Sequence, residues 1–317
     1  MYKTMSSRAI RRLAPVLAFV AIVVLTACAH AAPAPGPTSN APAALSAITA
    51  QLARVGSVST MSVMRRAPIV VIDPGHAVDE VGAAAYGVVE KDSNLDMAFR
   101  VADVLRQRGV EVILTRTADV RAAAPGDEPT QTQGYSGTRL DLQARIDVAN
   151  AARADAFVSL HSNGSGDAAV RGYEVYYNSL RLFAAENKTL AALLLDGVTT
   201  EMGAGGYPTM ARGVIDDSCL KAFQGRCFPL FLLGPSRTTD RDEVYRRGGT
   251  PEALGFAPDQ QTITSRPTQM PGALVELLFV SSAEDAALLR DEGARNAMAR
   301  GVARGVMEFV AQPKQGG

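Results

Sequence analysis

The chain has three histidines, and two of them close apolar runs: His76 ends "VVIDPGH" and His161 stands in "FVSLHSN". If both runs are buried strands of an open α/β sheet, these histidines lie beyond the carboxyl ends of the strands, where such sheets bind ligands. Imidazoles brought from two strands to one sheet edge suit a shared metal ion such as zinc. A lone histidine there would be an ordinary hydrogen-bonded residue, but two at equivalent strand ends point to a common ligand. A third donor is needed, and "GVVEKDSNL" offers Glu90 where a loop meets a helix start. Glu90, Asp92 and Ser93 are equally suited to capping that helix.

From Pro68 onward, apolar runs of strand length alternate with amphipathic stretches, which predicts a single α/β domain over residues 67–312. Its central sheet is expected to be mostly parallel, though mixed, with about six strands and helices on both faces. Strands are expected at 69–73, 110–115, 156–160, 172–177 and 273–279, and helices near 93–108, 140–152 and 183–202, with one or two more over 283–310. In the first helix Leu95, Ala98, Val101, Ala102 and Leu105 share a face, and Gly109 marks the stop. Two polar stretches, 121–138 and 234–269, are long for structureless loops, a length that usually accompanies function or disorder.

The amino-terminal segment reads as an export signal, residues 1–27, with a basic start and an apolar run at 13–27 too short for a comfortable membrane span. The run ends in "LTAC", which resembles a bacterial lipobox and makes Cys28 the expected lipidated first residue; the other reading is an ordinary signal cut after "AHA". Residues 28–66 begin Pro/Ala-rich and suit a semi-rigid tether, and His30 within it is assigned no role. Export places Cys219 and Cys227 in an oxidising compartment where, with Cys28 lipidated, each has only the other as a disulfide partner. The chain carries 32 basic and 32 acidic residues; four basic ones precede the expected cleavage, leaving 28 against 32, or −4. That balance gives nucleic acid no electrostatic footing.

Five stretches, "DPGH", "EKDSNLDMAFRVADVLRQRGVEVILTR", "ARIDVANAARADAFVSLHSN", "GYEVYY" and "MPGALVELLFVSSAED", occur in the order and spacing of the zinc-dependent N-acetylmuramoyl-L-alanine amidases of the amidase-3 type. The resemblance implies one zinc ion on His76, Glu90 and His161, with Glu276 as the catalytic carboxylate. It implies a peptidoglycan hydrolase that cleaves the amide between the lactyl group of N-acetylmuramic acid and the L-alanine of the stem peptide. The physical reading agrees, because two histidines and one carboxylate leave zinc an open position, and a glutamate inside an apolar strand is costly unless it faces a cleft or a partner. Asp73 could orient His76, and Asn163 could touch substrate. Arg116, Arg145 and Asn150 also fit family positions but serve equally well as braces for loops and helix ends. With the anchor at Cys28, the chain is expected outside the cytoplasm on a membrane, working as a monomer on the wall.

Three features depart from the family pattern. Ala77 and Val78 replace common glycines, "FVSS" has serine where asparagine is frequent near Glu276, and an inserted loop covers about 238–269. An inactive wall-binding relative should have lost one of the four key residues, and all four are present. Another zinc peptidase or deacetylase remains chemically open, since the same metal chemistry would serve it.

Overall fold

The computed structural model describes residues 66–313 except 221, 224, 225 and 228. The expected signal segment, Cys28, His30 and nearly all of the tether lie outside the described residues. Six strands form the central sheet: β1 (Ile69–Pro74), β2 (Glu111–Leu114), β3 (Ala156–Asn163), β4 (Tyr173–Tyr177), β5 (Ala211–Asp216) and β6 (Gly272–Phe279). Their spatial order is β2, β1, β3, β6, β4, β5. The first four run parallel, β4 pairs antiparallel with β6, and β5 runs parallel to β4.

Helices α1 (Glu90–Arg106), α2 (Gly134–Ala152), α3 (Ala184–Ala204), α4 (Arg241–Arg246), α5 (Ala283–Arg290) and α6 (Glu292–Ala311) complete the domain. On one sheet face Val70, Ile72, Val158, Leu160, Val175 and Val275 join residues of α1, α3 and α6 in the larger core. On the other, Val71 and Phe157 pack with Ile146 and Ala149 of α2, and with Leu232 and Met270. Both faces are therefore covered, which explains why β1 and β3 read as nearly unbroken apolar runs. Alternation along β3 puts Ser159 and His161 on the α2 side, next after Phe157. Helices α3 and α6 approach at backbone level: a Cβ on Gly197 would lie 2.2 Å from the Gly301 carbonyl oxygen.

Several boundaries differ from the sequence expectation. Helix α1 starts at Glu90, three residues early, and α2 starts at Gly134 instead of near 140. Its first turns, rich in Gly, Ser and Thr, have weak helix propensity, and tertiary contacts override that. Strand β5 was not anticipated; it is an edge strand, half exposed, and lacks the apolar run by which buried strands are read. The segment 234–269 is structured, with Thr238–Asp240 pairing antiparallel with Thr262–Thr264 around α4. Cys219 and Cys227 are joined in a disulfide, with Cα atoms 4.6 Å apart, as the oxidising compartment implied.

Candidate metal centre and active site

Three chain segments bring the candidate ligands together. His76 follows the end of β1 at φ 60°, a left-handed conformation that costs a non-glycine residue roughly 1–3 kcal/mol. The surroundings over-determine that conformation. Arg145, 1 % exposed, donates to the Pro74 carbonyl at 2.6 Å and to the His76 carbonyl at 3.0 Å, while Arg116 donates to the Pro74 and Gly75 carbonyls, each at 3.0 Å. Both arginines brace the loop, and Asn150 braces Pro267 and Gln269. Glu90 arrives from a tight hairpin, Ala84–Ala85 against Val88–Val89, whose Tyr86 and Gly87 both have positive φ, as a two-residue type I′ turn requires. His161 extends from β3 itself.

The three side chains converge. Glu90 Oε1 lies 2.9 Å from His76 Nε2 and 3.0 Å from His161 Nδ1, and the two ring nitrogens are 3.1 Å apart. The Glu90 carboxylate also accepts from the backbone amides of Ala83 at 2.7 Å and Ser162 at 3.2 Å. It therefore points into the site and does not cap α1, whose first turn shows no side-chain cap. Glycines make room for this packing. A Cβ on Gly75 would fall 2.2 Å from His161 Nε2, and one on Gly82, at φ 71°, would fall 2.4 Å from Glu90 Oε2. Neither glycine was singled out in the sequence, because their role lies in what a side chain would strike.

The partner of His76 also differs from expectation. Asp73 does not touch the imidazole; its buried carboxylate accepts from Thr115 at 2.5 Å, Ser159 at 2.6 Å and Arg145 at 2.8 Å. Glu80 is the partner, with Oε2 at 2.5 Å from His76 Nδ1. That contact fixes Nδ1 on the Glu80 side and turns Nε2 toward Glu90 and His161. Burial alone would lower the His76 pKa, but the bonds to Glu80 and Glu90 outweigh it and push it up to about 9. Burial likewise opposes Glu90 ionisation, yet His161 and His76 hold its carboxyl far below the usual range. Two imidazole nitrogens and a carboxylate oxygen, crowded together and demanding positive charge, are a donor set that fits zinc.

Glu276 lies directly beside His161 in the β3–β6 register and beside Glu174 of β4 on its other side. All three therefore project from the same sheet face. Its Oε2 is buried without a hydrogen-bond partner among the described residues. Burial first, then the nearby charges of Glu90 and Glu174, raise its pKa well above the ordinary carboxylate value. Just beyond it the β6 register shifts, with Leu278 at φ 71°, a bulge of the kind found beside active sites. The serines of "FVSS" do not reach Glu276: Ser281 accepts from the Ser165 amide and Ser282 caps α5. In the first loop Val78 adopts φ 53°, its amide bonded to Asp119 and its carbonyl to Lys91. Asn163 is engaged by Glu174 at 2.9 Å. A cavity of about 230 Å³ opens beside His76 and His161, walled by Thr138, Leu142 and Leu232.

The family model described as N-acetylmuramoyl-L-alanine amidase, amidase-3, matches residues 70–308, and the chain belongs to that family. It is 26 % identical over 245 residues to the germination-specific N-acetylmuramoyl-L-alanine amidase of Bacillus subtilis, covering 77 % of this chain and 80 % of the relative. Against N-acetylmuramoyl-L-alanine amidase AmiC of Neisseria meningitidis it is also 26 % identical, but it spans only 53 % of that protein. Among solved structures, the catalytic domain of CwlV, an N-acetylmuramoyl-L-alanine amidase from Bacillus (Paenibacillus) polymyxa, is 26 % identical with a TM-score of 0.50, covering 77 % of this chain and 98 % of that one.

Proposed function

We propose that the chain is a zinc-dependent peptidoglycan hydrolase that cleaves the amide between the lactyl group of N-acetylmuramic acid and the L-alanine of the stem peptide. In this reading His76, Glu90 and His161 hold one zinc ion and Glu276 is the catalytic acid–base residue. One observation carries it: three electron-pair donors converge within about 3 Å beside the half-buried Glu276, whose Oε2 is buried without a hydrogen-bond partner among the described residues. When bound, the metal lowers the pKa of a water from about 15.7 toward about 7 and polarises the scissile carbonyl.

The chain's own groups supply the rest. Glu80 fixes the His76 ring, so Nε2 keeps its lone pair for the metal. Glu276 accepts the proton of the attacking water and passes it to the nitrogen of L-alanine, which must leave as an amine. Its raised pKa suits both halves of that transfer, since a group that stays ionised throughout could not return the proton. The products are a glycan with free lactyl carboxylates and a stem peptide with a free alanine amino terminus. The amino-terminal signal and Cys28 supply an export route and a lipid anchor, so the monomer works on the wall from an extracytoplasmic membrane surface. His76, Glu90 and His161 lie together, with Glu276 beside His161 in the sheet register; a protein activator stays open.

Digestion of purified peptidoglycan tests the reading, with new ends identified by mass spectrometry. Free alanine amino termini are expected, lost with a chelator and restored by zinc. New reducing sugar ends, or digestion indifferent to chelation, would contradict it.

A further inference from the structure

Beyond Glu276 the same sheet edge carries an arrangement that the hydrolytic scheme does not use. Glu174, 4 % exposed, accepts from Asn163 Nδ2 at 2.9 Å and from the Tyr176 hydroxyl at 2.6 Å through Oε1, and from Arg212 Nε at 2.8 Å through Oε2. Three donors therefore hold the side chain fixed. Arg212 stands at the start of β5. Because β4 and β5 run antiparallel to β6, that start lies at the same end of the sheet as His161, Asn163 and Glu276. Its guanidinium sits over the Phe279 ring, 5.2 Å from the centroid, and its side chain is 36 % exposed. With Nε spent on Glu174 and one face on Phe279, the terminal Nη groups have no partner among the described residues. A rigid, half-exposed guanidinium edge of this kind matches a carboxylate, which it can take through two parallel N–H donors.

The position favours a particular carboxylate. Neighbouring strands are about 4.8 Å apart; Arg212 bonds Glu174 on the adjacent strand, which sits opposite Glu276, and its guanidinium lies over Phe279 of β6. In a stem peptide, six bonds separate the scissile carbonyl carbon from an α-carboxylate on the residue after alanine, a span of about 7 Å when extended. Resting on the proposed amidase reading, we infer that Arg212 is a specificity-determining residue that binds an α-carboxylate on the stem residue following L-alanine, with Glu174 as its positioning residue. A stem whose second residue carries an α-carboxamide would bind more weakly, because an amide puts an N–H group against the guanidinium donors.

The test uses two soluble disaccharide peptides that differ only in having a carboxylate or a carboxamide at that position. Their dissociation constants are measured on the full-length, zinc-loaded Glu276→Gln chain, so that binding is read without turnover. The acid form is expected to bind about 10- to 100-fold more tightly, as one charge-assisted contact would give. Adding Arg212→Gln should bring the ratio near one, Arg212→Lys should restore part of it, and Glu174→Gln should reduce it less than Arg212→Gln does. The ratio is taken within each protein, so a smaller folded fraction does not move it. Equal binding of the two peptides, or a preference that survives Arg212→Gln, would overturn the assignment. Failure of the amidase reading shows separately, as absence of new alanine amino termini from wild-type digests.

Discussion

At the carboxyl ends of β1 and β3 the polar side chains share several partners each, while Glu276 of β6 keeps a buried oxygen without one among the described residues; the segment 238–269 is instead fastened along a single helix, α2. In the first region Asp73 is shared by Thr115, Ser159 and Arg145, Arg145 also holds the His76 carbonyl, and Glu90 collects two imidazoles and two amides. In the second, Ser136, Arg139, Gln143, Asp147 and Asn150 form one stripe along α2 that contacts the segment or its flank at four places, Gln143 and Asp147 meeting it together at Arg266. Arg266, which pairs with Asp147, is 63 % exposed. The contrast separates a coupled network, where one change displaces several partners, from an additive interface, where each contact is worth its own modest amount.

That contrast orders the expected effects. Gly75→Ala should be the most damaging of these changes, because its Cβ would lie 2.2 Å from His161 Nε2 and the ring must move. Displacing a candidate ligand by about 1 Å is expected to cost about 100-fold or more in turnover, and metal content measured on the same protein should fall with it. Glu80→Ala should leave the fold intact and lower zinc affinity about 10- to 100-fold, the usual cost of removing the partner of a metal-bound histidine. Competition with a chromophoric chelator reads that value, and an unchanged affinity would deny Glu80 its place.

In the attached segment, Ser136→Ala removes a hydroxyl that donates to the Thr250 carbonyl and accepts from the Thr250 amide. A loss of about 1–2 kcal/mol in denaturant unfolding is expected, with zinc affinity unchanged; a fall in affinity would show that the two regions are coupled after all. The smallest effect concerns Asp217, which ties Asn178 to the Leu230 amide at the base of the disulfide hairpin. Burial pushes its carboxyl up to about 6, against 3.8 for the free group. The folded form then holds the proton more tightly, so the associated stability is complete below about pH 4 and lost as pH rises through 6. Hydrogen exchange around residues 217–230 should quicken across that interval in the wild type, and Asp217→Asn should flatten the rise.

The same contrast accounts for what could be read from the sequence. The alternation of strands and helices was plain from apolar runs such as "IVVID" and "AFVSL", since burial on both faces demands them. His76 and His161 were visible because a polar residue ending such a run is conspicuous. Glu80 was not, because a carboxylate four residues beyond a histidine on a loop has no periodic signature, and Asp73, adjacent to the turn, looked the better partner until its oxygens proved occupied by Thr115, Ser159 and Arg145. Gly75 and Gly82 matter through empty space, which no residue type announces. Glu174 and Arg212 lay in plain view in "GYEVYY" and "MARGV", but their pairing depends on β5, a half-exposed edge strand that lacks an apolar run. The order within 238–269 depends on α2, whose receiving stripe is defined only once the helix is known to begin at Gly134.

The central claim is that metal binding and proton transfer belong to different residues of one sheet edge. Zinc content and hydrolysis of peptidoglycan by full-length Glu276→Gln, measured side by side with the wild type, test it most directly. The account predicts an unchanged zinc-to-protein ratio and a loss of about 100- to 10,000-fold in the release of alanine amino termini, the range expected for removing an acid–base group. Near-normal release, or a loss of zinc that parallels the loss of activity, would contradict it.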